Sequence, residues 1–162
     1  MEAHLKERRQ LMTARARALA RVQTSIAETC DVLSELRSSL HWVGEGTVGP
    51  AQENLEVALR ILTVAHAFMQ IDLELAGAAN LRFGPLLSAA DLAGARRAHD
   101  ALGLLTVSLR AALADPSLGG TIVERGGVAR VFSFGDATLA EAERAFRSLA
   151  EEPLADAPGP EP

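Results

Sequence analysis

The 162-residue chain has one cysteine, one tryptophan and no tyrosine, and aromatic residues make up only 4% of it. Cys30 therefore has no partner for an intramolecular disulfide, and no Cys/His cluster has the spacing of zinc ligands. Both absences point to a reducing compartment, so a cytoplasmic location is expected. The start, MEAHLKERRQ, has no apolar core behind its basic residues and does not read as a signal peptide. Positive charge is also in short supply. Sixteen Lys and Arg stand against 21 Asp and Glu, a formal net charge of -5, which argues against nonspecific binding of nucleic acid or acidic membrane by the molecule as a whole. Long apolar runs are missing too. The most apolar stretch, 59–79, is interrupted by Arg60, His66, Gln70, Asp72 and Glu74, whose burial in lipid is costly, so no membrane span is expected.

Catalytic signatures are equally sparse. The four histidines are scattered, with no His-Glu-x-x-His helix and no Glu-x-x-His pair. No serine sits in a nucleophile elbow, and neither Gly119-Gly120 nor Gly126-Gly127 is followed by the Lys-Ser/Thr of a phosphate-binding loop. His66 and His99, with Asp72 or Asp100 to orient them, form the best His/carboxylate combination for metal binding or proton transfer. A hydrogen-bonded histidine at the edge of a core accounts for each more simply. Cys30 falls inside a helical repeat and reads as a packing residue. No enzyme, cofactor or metal site is expected.

What the chain does contain is helical periodicity. At 48% hydrophobic and 23% charged residues it has the composition of one ordinary globular domain. Leu5, Met12, Leu19, Ile26, Leu33 and Leu40 recur at every seventh position, and Val22, Leu36 and Val43 supply the companion positions of a heptad. Arg8 and Arg15 occupy that companion seam in the first half, so tight packing is expected only from about Leu19. The glycines of Gly44–Gly49 and Pro50 end this helix, which spans about 4–43. A second helix, about 51–80, carries two apolar stripes. One runs through Leu55, Leu59, Leu62, His66, Met69 and Leu73, the other through Val57, Ile61, Val64, Phe68, Ile71 and Leu75. Two stripes mean burial on two sides, which fits either the central helix of a bundle or one shared between the bundle and a subunit interface.

Phe83-Gly84-Pro85 breaks the pattern, and Ser88 with Asp91 three residues on predicts the cap of a third helix, which Asp115-Pro116 stops. The β-branched runs Thr121-Ile122-Val123 and Val128 to Phe132 flank Gly126-Gly127 and predict a β-hairpin over about 121–134. Asp136 or Thr138, the latter boxed with Glu141, then caps a last helix with Leu139, Ala142, Phe146 and Leu149 on its apolar face. The ending PLADAPGPEP predicts a disordered acidic, proline-rich tail over 153–162. The expected fold is mainly α: a single domain over 1–152, a bundle of about four helices with a small β-hairpin before the last.

Two resemblances are carried by short segments. Trp42-Val43-Gly44, at the turn between the first two helices, resembles the WxG turn of the small helical-hairpin substrates of type VII secretion, which implies export and dimerisation. The segment 98–134 resembles a winged helix-turn-helix. Leu102-Gly103 stands at the turn, Thr106 to Leu113 in the recognition helix and the hairpin as wing, which implies a DNA-binding regulator with Arg110, Arg125 and Arg130 facing DNA.

The function expected from the residues themselves is protein recognition or assembly without catalysis. The chain is expected to form a homo-oligomer through the seam Leu19, Val22, Ile26, Leu33, Leu36 and Leu40, with polar neighbours selecting partner and register. Lys6, Arg8, Arg9, Arg15, Arg17 and Arg21 make the first 21 residues locally basic, six cations against two acids. They are the candidate contacts for an anionic partner, whether phosphate, membrane surface or acidic protein.

Overall fold

A computed structural model describes residues 1–43, 48–114 and 127–152 of the chain, with side chains over 1–37, 56–111, 113–114 and 137–152. Among the described residues there are four helices: α1 Glu2–Val43, α2 Val48–Phe83, α3 Ala89–Ala114 and α4 Gly127–Ala150. α1 packs against α2 and α4, and α3 packs against the same two helices from the other side, so the helices follow one another around a single core. Cross-helix pairs give the directions. Asp72 of α2 meets Ser25 and Thr29 of α1, His66 of α2 meets His99 of α3, and Arg37 and Gln23 of α1 meet Glu143 and Glu152 at the end of the chain's last helix in reverse order. Each helix therefore runs antiparallel to its neighbours, the up-down-up-down arrangement that short connections favour.

The core is built from one stripe of each helix. α1 contributes Leu19, Val22, Ile26, Cys30, Leu33 and Leu36, and α2 contributes Ala58, Leu62, Ala65, Met69, Leu73 and Ala76. α3 adds Leu92, Ala95, Ala98, Leu102 and Leu105, and α4 adds Leu139, Ala142, Phe146 and Leu149. The many alanines on α2 and α3 let the helix backbones approach, while Phe146, fully buried, is the largest side chain in the centre. Burial of α1 begins at Leu19. Leu5, Leu11 and Met12 are exposed, as is every residue of α1 before Arg15, so this end of α1 extends from the bundle by roughly 20 Å at 1.5 Å per residue.

The turn from α2 to α3 is organised by one side chain. Asn80 Oδ1 accepts the backbone N–H groups of Leu86 and Leu87 at 2.9 and 3.0 Å, and its Nδ2 donates to the carbonyl of Leu87 at 3.2 Å. Gly84, at φ +83°, makes the left-handed step that reverses the chain, and Leu86 and Leu87 turn back into the core. Ser88 then caps α3, its Oγ accepting the Asp91 N–H at 3.4 Å.

The hairpin is the main correction. Residues 128–132, predicted as its second strand, lie with Gly127 of its turn in the opening turns of α4, and no strand occurs among the described residues. Residues 121–126, the expected first strand and turn, lie outside the described residues. The cap at Thr138 fails for the same reason: it lies in mid-helix and is buried. A two-stranded hairpin with no third strand or covering sheet is marginal. Extending a helix already anchored by Leu139, Ala142, Phe146 and Leu149 adds a hydrogen bond per residue, with the nucleation cost already met. The β preference of Val128 and Val131, worth under about 1 kcal/mol each, loses that contest.

Candidate functional site: the outer face of the second helix

The first stripe of α2 enters the core, and the second does not. Val57, Val64, Phe68, Ile71 and Leu75 are 45–51% exposed, and Ile61 is half-buried beside them. The spacing is 4, 3, 4, 3, 4, a heptad seam about 120° round the helix from the core-facing Leu62, Ala65, Met69 and Ala76. The exposed parts of these six side chains amount to roughly 450 Å², the size of the largest apolar patches on ordinary monomers, which are often functional. One edge of the stripe carries Arg60, Ala67 and Glu74, all exposed, and Gln70 donates to Glu74 Oε1 at 2.7 Å. The other edge, Ala58, Ala65 and Asp72, is buried in the bundle.

Asp72 fixes how α2 is turned. Its carboxylate accepts hydrogen bonds from Ser25 Oγ on one oxygen and Thr29 Oγ1 on the other, each at 2.5 Å, and Asp72 itself is 1% exposed. Burial pushes its carboxyl above the ordinary range, and the two hydroxyls oppose that shift. The pair on α1, four residues apart, thus holds α2 with its second stripe facing away from the core. By length and composition the segment Glu56–Phe83 is apolar enough to cross a membrane. A carboxylate at its centre is nonetheless satisfied by α1.

The seam residues of α1 have a different placement from the one expected. Leu19, Val22, Ile26, Leu33 and Leu36 are each 4% exposed or less, packed within the chain's own bundle. Leu40 lies in α1, but its side chain is outside those described. Cys30 is in the same stripe, and burial raises its thiol to about 11, with Arg147 opposing, so it is inert packing. At the far side of α1, Arg37 lies 3.8 Å from Glu143, which also pairs with Arg147 at 2.9 Å.

The basic residues lie along the projecting part of α1. Lys6, Arg8, Arg9, Arg17 and Arg21 are exposed and Arg15 is half-buried. They do not join Arg110, which sits near the C-terminal end of α3. Because α3 opens where α4 closes, beside Gln23 of α1, Arg110 is at the opposite end of the bundle. Arg125 is outside the described residues, as is the side chain of Arg130. α3 runs unbroken through Leu102 and Gly103, so the turn of a winged helix-turn-helix is absent, as is the second strand of its wing. Trp42 and Val43 are the last residues of α1; Gly44 is outside the described residues.

The histidines meet but do not converge on a ligand. The rings of His66 and His99 stack with centroids 4.0 Å apart and planes 13° from parallel, and His99 Nδ1 is 3.3 Å from Asp100 Oδ1. Gly103 makes room for them: a Cβ there would lie 3.0 Å from His66 Nε2. Burial lowers the pKa of His66, and the neighbouring His99 lowers it further. Asp72 is on the α1 side of α2 and takes no part, so of the two candidate carboxylates Asp100 is the one beside the pair. Among the described residues no three His, Cys, Asp or Glu side chains are placed to hold a metal ion.

Sequence reasoning missed the Asp72 layer and the Asn80 turn. Ser25 and Thr29, at i and i+4 on the flank of the α1 stripe, were the available signal for the first. Comparison with protein-family models, with curated proteins and with solved structures finds no match to this chain.

Proposed function

We propose that this chain is a non-catalytic helical assembly module that self-associates through an apolar helix face. The observation that carries the reading is the second stripe of α2, an exposed heptad seam on a helix whose other seam is already filled. Water-exposed valine, isoleucine, leucine and phenylalanine in one continuous row gain of order 25 cal/mol per Å² when covered, which favours a partner with a matching row. The α1 seam remains the element that builds each bundle, and the basic end of α1 is an accessory surface for an acidic partner.

The test is solution mass measured over a wide range of protein concentration at low and high salt. A concentration-dependent oligomer that persists at high salt is expected, because apolar contacts are not screened. A chain that stays monomeric at every concentration overturns the reading.

A further inference from the structure

From the register of the α2 stripe and the charges beside it, we infer that the outer face of α2 pairs antiparallel with α2 of a second copy of this chain. This inference rests on the assembly reading above and names its partner and geometry.

The stripe has internal two-fold symmetry. When two copies of α2 are laid antiparallel about a point between Val64 and Phe68, Val57 of one meets Leu75 of the other. Ile61 then meets Ile71, and Val64 meets Phe68. Every layer is apolar, and each pairs a residue following a four-residue step with one following a three-residue step, as antiparallel heptads require. The free edge obeys the same symmetry. Ala67 falls within one residue of the axis, beside its own counterpart, and Arg60 of each copy lies beside Glu74 of the other. Opposite charges thus meet twice, and a small residue sits where the helices come closest. A parallel pair would instead set Arg60 and Glu74 against the edge formed by Ala58, Ala65 and Asp72, which is buried in its own bundle. The charges select the antiparallel register. The stripe alone covers roughly 900 Å² in the pair, and its flanks carry the contact to the low end of stable interfaces, about 1,200 Å².

The experiment uses the full chain. Val64→Glu with Phe68→Glu replaces two half-exposed side chains, so helicity and melting temperature should hold while the oligomer dissociates to monomer. Arg60→Glu alone should weaken association by about three- to tenfold, and adding Glu74→Arg should restore it. Under mild oxidation Ala67→Cys should form a linked dimer and Arg60→Cys should not, since the two Arg60 positions are roughly 18 Å apart along the antiparallel axis. Cys30, buried with a raised thiol pKa, stays out of this reaction.

An oligomer that the double glutamate variant dissociates but that fails to link through Ala67→Cys overturns the antiparallel pairing and leaves the assembly reading standing, whereas one that tolerates the double variant takes the stripe out of the interface and overturns the pairing together with the stripe as the ground of that reading. A monomer at all concentrations removes both. Flotation of the chain with phosphatidylcholine vesicles, lost on Phe68→Glu, assigns the stripe to lipid and overturns the pairing.

Discussion

The hydroxyl of Thr29 donates a hydrogen bond of 2.5 Å to the carboxylate of Asp72, and both side chains are buried, 2% and 1% exposed. This is a buried polar layer in the α1–α2 contact, and it has a pH signature. The folded-state pKa of Asp72 is raised, so its contribution to stability is full below the unfolded value, about 3.9, and is lost as pH rises through the folded value. Asp72→Asn keeps an acceptor for one hydroxyl and a donor toward the other and removes the buried charge. Chemical denaturation from pH 4 to 7 should show the variant equal to or more stable than the parent at pH 7, with that part of the pH slope gone. Asp72→Ala should cost about 1–3 kcal/mol.

His66 titrates in the opposite sense. Its folded pKa is lowered, so the stability it contributes is present above the unfolded value, about 6.5, and falls as pH drops through it toward the folded value. His66→Gln should flatten the loss of stability between pH 7 and 5. Equal acid sensitivity in parent and variant would show that the stacked pair carries no linkage.

Gly103 is coupled to the same ring. Alanine in a helix interior gains about 1 kcal/mol over glycine, but here its Cβ would press on His66 Nε2 at 3.0 Å. Gly103→Ala should therefore stabilise the His66→Ala protein by about 1 kcal/mol and the parent by less, a difference that a double-mutant cycle measures.

At the α2–α3 turn, Asn80→Ala removes three hydrogen bonds to the backbone of Leu86 and Leu87 and should cost about 2–3 kcal/mol. Gly84→Ala meets no atom within 4 Å, so its cost is that of the left-handed backbone alone, about 1–2 kcal/mol. Melting curves of the two variants separate the contributions.

The two halves of α1 should respond differently. Leu33→Asp with Leu36→Asp places two charges in the core, where both leucines are fully buried, and should unfold the chain rather than only dissociate it. Removal of residues 1–10 takes away exposed positions only and should change stability by less than about 0.5 kcal/mol. The same cut removes Lys6, Arg8 and Arg9, so binding to any polyanion should weaken and lose part of its salt dependence. Circular dichroism and a salt titration read the two effects.

Much of the fold is written in local pattern. The period of Leu19, Ile26 and Leu33, the cap at Ser88 and the break at Gly84-Pro85 set α1, the start of α3 and the turn between α2 and α3, because helix period, capping and backbone sterics act over a few residues. The double stripe of α2 was equally legible. Local pattern did not say which stripe faces inward, since Leu62 and Val64 are equivalent by hydrophobicity. That choice is made by packing: Ala58, Ala65 and Ala76 allow close approach, and Asp72 must reach Ser25 and Thr29 or be buried without partners. Residues 128–132 show the reverse case, a strong local β preference overruled by an anchored helix. The sequence by itself determined where helices begin, end and carry apolar rows. Tertiary structure alone decided which rows became core, because burial depends on what stands opposite, and no single helix contains that information.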